Sequence, residues 1–82
     1  MFHFTINRNK LCRNELYTDT RACALGQYLR ATGQNIFNSG LSSNQIDNIA
    51  RVNDAHRSWS WKLPRLRAAF KKIGATFTVV SK

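Results

Sequence analysis

Hydrophobic positions follow two different periods along this chain. Phe2, Phe4 and Ile6 alternate with His3, Thr5 and Asn7, the period-two pattern of a half-buried strand in residues suited to a pleated surface. The stretch 7–19 is polar except for Leu11, Cys12, Leu16 and Tyr17, and reads as a loop or excursion. The spacing then turns helical. Leu25, Tyr28 and Leu29 recur at i, i+3 and i+4, Asp19 or Thr20 can cap, and Gly33 stands where a left-handed residue stops a helix, which predicts a first helix over about 20–32.

A polar Gly/Asn/Ser connection follows, and then the clearest local signal. Ser42 as N-cap with Gln45 three residues later forms a capping box, and Leu41 and Ile46 are placed as a hydrophobic staple. The second helix runs to about Asp54 and buries Ile46, Ile49, Ala50 and, at its edge, Val52. A third helix buries Leu63, Leu66, Phe70 and Ile73 and ends at Gly74. Proline fits best in a first turn, so Pro64 predicts a start near Ser60 or Trp61. Phe77 and Val79, with Val80 out of phase, close the chain as a second strand. The expected fold class is α+β: the terminal strands pair in a small sheet and about three short helices cover one face. Two strands alone are marginal, so the helices must supply most of the core.

At 82 residues the chain is one domain, 1–82, because so short a polypeptide buries only about 60–65% of its unfolded surface. A deep active site has little room. Composition is that of a foldable chain, 43% hydrophobic and 21% charged, which excludes disorder, collagen and coiled coil. Charge is the anomaly: 13 Lys+Arg against 4 Asp+Glu give +9. Residues 55–82 hold Arg57, Lys62, Arg65, Arg67, Lys71, Lys72 and Lys82 with no Asp or Glu, while residues 1–54 hold six basic and four acidic residues. No repeat or linker separates the two parts, so the basic portion is one side of a domain. Such a surface calls for an acidic partner.

No run approaches the roughly 18 apolar residues of a membrane span, and Met1-Phe2-His3-Phe4 lacks the charged start and long apolar stretch of a signal peptide, so no membrane partner is expected and the chain reads as cytoplasmic. Cys12 and Cys23 read as free thiols in a reducing compartment. His3 and His56 have no ligand spacing to either cysteine, so no metal is expected.

Four islands, Phe4-Thr5-Ile6-Asn7-Arg8-Asn9-Lys10, Cys23-Ala24-Leu25-Gly26, Val52-Asn53-Asp54, and Leu66 to Gly74 followed by Thr76-Phe77-Thr78-Val79-Val80, come in a particular order. That order resembles a family of small, mostly uncharacterised bacteriophage and prophage proteins. Its members carry an FTIDRSKW-type strand, a CCLG element, an IND-type triplet and an LxxLFxKxG helix before a VEFV-type strand. Here Leu11 stands where an aromatic is usual and Ala24 replaces the second cysteine, which weakens any role for a cysteine pair. The resemblance implies a phage context, the cytoplasm of a bacterial host and paired terminal strands. It implies no activity.

Chemistry must therefore come from the residues. Two His, four carboxylates and two Cys, with no GxSxG, HExxH or phosphate-binding loop, give no catalytic constellation, so neither enzyme activity nor a cofactor is expected. Cys23 at a helix amino end could be an activated thiol, although a small packed side chain is the plainer reading. The third helix is more informative. Projected at 100° per residue, its apolar stripe occupies about 80°, with Arg67 and Lys71 beyond one edge and Arg65 and Lys72 beyond the other. A solvated face is the ordinary explanation of such a run. Here no local carboxylate pairs it, and Trp59 and Trp61 precede it. An extended Ser58–Trp61 segment would align both indoles as a stacking platform, whereas a helix would separate them by about 200° and leave at least one to anchor the core. Two functions follow. In the first, Arg57, Lys62, Arg65, Arg67, Lys71 and Lys72 contact nucleic-acid phosphates, alone or in a nucleoprotein complex, and Trp59 or Trp61 stacks. In the second, a phage-encoded inhibitor docks the same basic face on an acidic surface of a host enzyme or defence component.

Overall fold

The computed structural model describes residues 1–11 and 23–81. Strand β1 (Phe2–Asn7) leads into a 3-10 turn, Arg8–Lys10. Three helices follow, α1 (Ala24–Thr32), α2 (Ser43–Asp54) and α3 (Trp59–Lys71), and the chain returns as β2 (Ala75–Val80). The terminal strands pair in one two-stranded sheet packed against the three helices, an α+β fold. They run parallel, with Phe4 opposite Phe77 and Ile6 opposite Val79. A parallel pair needs a crossover, and the three helices together provide it.

Alternation places Phe4, Ile6, Ala75 and Phe77 on the face the helices cover, all buried. Phe4, Tyr28, Phe70 and Phe77 form an aromatic centre with ring centroids 5.1–5.7 Å apart. Leu25, Leu29, Ile49 and Leu66 close around it. Parallel sheets are usually covered on both faces. In this one the second face is polar, carrying His3, Thr5, Thr76 and Thr78. The two ring nitrogens of His3 hydrogen-bond Thr76 Oγ1 at 2.7 Å and Thr78 Oγ1 at 2.8 Å, a cross-strand cluster that tolerates water.

The helix ends follow from capping chemistry. The capping box at Ser42 forms: the Gln45 N–H donates to Ser42 Oγ and the Ser42 N–H to Gln45 Oε1. Leu41 and Ile46 both pack against the core. Gly33 adopts φ 72° as the residue that stops α1, and Gly74 φ 78° where the chain leaves α3.

Two starts differ from the sequence expectation. Helix α1 begins at Ala24, not residue 20, because extended Cys23 is its cap and accepts the Gly26 N–H on Sγ at 3.1 Å. Asp19, Thr20 and Cys12 lie outside the described residues. Helix α3 begins at Trp59, since Ser58 caps it by accepting the Trp61 N–H. Pro64 therefore falls past the first turn, where the Ser60 carbonyl forgoes its i+4 donor. Ser60 is exposed, so water can meet that carbonyl and the cost is reduced.

One buried polar side chain ties the helices together. Asn53, 2% exposed near the end of α2, accepts the Ala24 N–H on Oδ1 at 3.0 Å and donates from Nδ2 to Asp54. Its own carbonyl accepts from Lys62 Nζ at 2.7 Å. The Cys23–Gly26 and Val52–Asp54 islands thus meet in space, and both act on helix ends: Cys23 and Asn53 each satisfy an orphan donor of α1.

Candidate nucleic-acid interface

Helix α3 buries Leu66, Ala69 and Phe70 and packs Trp59 and Leu63 against the same core; it ends at Lys71, so Ile73, expected on the helix, joins the core from the turn that follows. The opposite surface is set by that burial. At 100° per residue, Trp61, Arg65, Ala68 and Lys72 fall within about 60° of one another along the helix, with Pro64 and Lys71 beside them. Pro64, Arg65, Ala68, Lys71 and Lys72 are all exposed. Along it the small side chains of Pro64 and Ala68 alternate with the cations Arg65, Lys71 and Lys72. No acidic residue lies on α3 or β2.

The eight residues singled out in the sequence do not form one uniform patch. Trp59 and Trp61 are both helical, so they diverge and form no joint platform; the cap at Ser58 removes the extended segment that alignment required. Trp59 packs on the core with the Arg8 guanidinium over its ring at 5.2 Å. Trp61 is half-buried and lies beneath two guanidiniums, Arg57 at 5.4 Å and Arg65 at 4.1 Å from the ring centroid. Arg65 also donates from Nη1 to the Trp61 carbonyl at 2.9 Å. The indole orients arginines where the sequence suggested it would receive a base.

Two cations are held by the fold itself. Lys62 reaches the Asn53 carbonyl and offsets the negative end of α2. Arg67 donates to the Phe77 carbonyl at 3.0 Å and lies 4.8 Å from the Phe77 ring centroid, closing part of the outer edge of β2. Lys71 and Lys72 are exposed, and Lys72 borders a shallow hollow of about 230 Å³ with Asn44, Gln45, Asn48 and Ala69. Arg57, Arg65, Lys71 and Lys72 remain with charge directed to solvent. Arg8, absent from the sequence candidates, reaches the Trp59 ring from 51 positions away, a separation at which local patterning carries no signal.

Other chemistry finds less support. Cys23 is 3% exposed and its sulfur accepts a backbone hydrogen bond, so it serves as a packed helix cap. Among the described residues no three of His, Cys, Asp and Glu are placed to hold a metal ion, and no helix is long and apolar enough to cross a membrane. Comparison with protein-family models, with curated proteins and with solved structures finds no match to this chain.

Proposed function

We propose that this is a binding protein that takes the phosphate backbone of nucleic acid on the outward ridge of α3. The observation that supports the reading best is the pair of guanidiniums over Trp61 in a stretch of sequence without a carboxylate. A guanidinium stacked on an indole keeps its in-plane donors available and loses less side-chain freedom when it meets a phosphate. Arg65 spends one donor on the Trp61 carbonyl and leaves the rest of the fork free. Lys71 and Lys72 extend the positive surface toward the other end of the helix. Among the described residues no base-reading constellation accompanies these cations, so weak sequence preference is expected.

The test is the salt dependence of binding to duplex DNA. With Arg57, Arg65, Lys71 and Lys72 as the four contacts, log K falls against log salt with a slope of about −3.6, a loss of about 150-fold between 50 and 200 mM. Lys71→Glu with Lys72→Glu should flatten the slope by about 2 while the melting temperature stays within a few degrees. Absence of binding at low salt, with one host protein retained after nuclease treatment, would overturn the reading in favour of an inhibitor whose basic face meets an acidic protein patch.

A further inference from the structure

A two-stranded sheet has two open edges, and in this protein they are treated differently. The Phe2 N–H donates to the Gly74 carbonyl, which with the parallel register turns the backbone groups of Phe2, Phe4 and Ile6 toward β2. Those of His3, Thr5 and Asn7 face the opposite way. At Asn7 that outward edge is already engaged in strand fashion: the Asn7 N–H donates to Gln27 Oε1 at 2.7 Å and Gln27 Nε2 donates to the Asn7 carbonyl at 3.3 Å. A side-chain amide here makes the donor and acceptor contacts of a neighbouring strand. At His3 and Thr5 the edge continues into an open groove of about 630 Å³, walled by Phe2, Phe4, Gln27, Arg30 and Ala31 and reached by Lys10. Phe2 is 38% exposed. Among the described residues no acidic side chain lines the groove, whereas Lys10 and Arg30 border it and both are exposed.

We propose that this edge of β1 is a docking site for an extended acidic segment of a partner protein, which adds to the sheet as a third strand. Its backbone pairs with His3 and Thr5, an apolar side chain lies against Phe2 and Ala31, and its carboxylates meet Lys10 and Arg30. Charge selects this occupant over a second copy of the chain, which at +9 would bring like charges together along the shared edge. The site is separate from the ridge of α3 and does not depend on it.

The probe is a capped octapeptide of alternating valine and glutamate, titrated into the full chain and followed by calorimetry and amide hydrogen exchange. The expected result is binding with slowed exchange at the His3 and Thr5 amides. Affinity should fall at least tenfold for the same peptide N-methylated throughout, and at least tenfold when lysine replaces its glutamates. The double variant Lys10→Glu, Arg30→Glu should reverse the charge preference. Thr5→Pro removes an outward donor without touching the β1–β2 ladder and should weaken binding by a similar factor; should that variant not fold, the N-methylated peptide makes the same test on the native chain. Absence of binding at millimolar peptide, or equal affinity for the N-methylated form, would overturn the proposal. So would protection of His3 and Thr5 without peptide in a protein that sediments as a dimer, since the edge would then belong to a second copy.

Discussion

Replacing Asn53 by alanine removes the side-chain oxygen that accepts the Ala24 N–H, at a residue with no exposed surface. A buried donor left without an acceptor costs about 1–3 kcal/mol. Loss of the Nδ2 bond to Asp54, at a partly buried site, adds about 1 kcal/mol. The expected destabilisation is therefore about 2–4 kcal/mol, a large part of the roughly 4–12 kcal/mol available to a chain of this length. In urea, with a slope of about 1 kcal/mol per molar for a small domain, the midpoint should fall by about 2–4 M. The melting temperature should drop by roughly 8–30 °C. Exchange of the Ala24 amide should accelerate beyond the global loss, because the amino end of α1 opens first. Lys62→Met is the comparison: it removes the charge from the Asn53 carbonyl but leaves Ala24 satisfied, and should cost only about 1 kcal/mol. A loss below about 1 kcal/mol for Asn53→Ala, with Ala24 exchange unchanged, would refute the assignment of this side chain as the joint between α1 and α2.

Trp61→Ala should weaken DNA binding about 5- to 30-fold by releasing two guanidiniums at about 0.5–1 kcal/mol each, and should do little in an Arg57→Ala, Arg65→Ala background; an undiminished effect in that cycle would mean the ring itself stacks on a base. Trp59→Ala should lower stability by about 1.5–3 kcal/mol, measured by urea unfolding, and leave the affinity of the folded protein unchanged, since this ring packs on the core. Truncation before Thr76 deletes buried Phe77 and nearly all of β2, and circular dichroism should show an unfolded chain; cooperative melting near the full-length temperature would contradict the pairing of the terminal strands.

Local rules were enough for the elements whose ends are decided by adjacent residues. Ser42 and Gln45 are three apart, so their reciprocal bonds follow from helix geometry wherever α2 sits. The apolar stripe of α3 was legible for the same reason, and it also identified the exposed positions Arg65, Lys71 and Lys72. The start of α3 was not legible from Pro64 alone, because Ser58 offers a cap and an exposed carbonyl at Ser60 lessens the proline penalty. The sequence puts Cys23 at a helix start but does not single out its sulfur as the cap, since cysteine is a weak acceptor and Asp19 and Thr20 are better-known caps.

The order of strands and helices, the face each would bury and the excess of positive charge at the carboxyl third are properties of the sequence itself, because each depends on the identity and spacing of neighbours along the chain. The direction of strand pairing is not, since alternation looks the same in a parallel and an antiparallel partner, and only the return of the chain after α3 makes β2 run alongside β1. Nor are the roles of the cations. Lys62 reaches the end of α2, Arg67 the edge of β2, and Arg8 an indole on a distant helix, each drawn from the charged surface by contacts that exist only once the elements pack. Asn53 likewise joins two helices through an N–H whose need for a partner arises from its burial, and burial is decided by the tertiary fold.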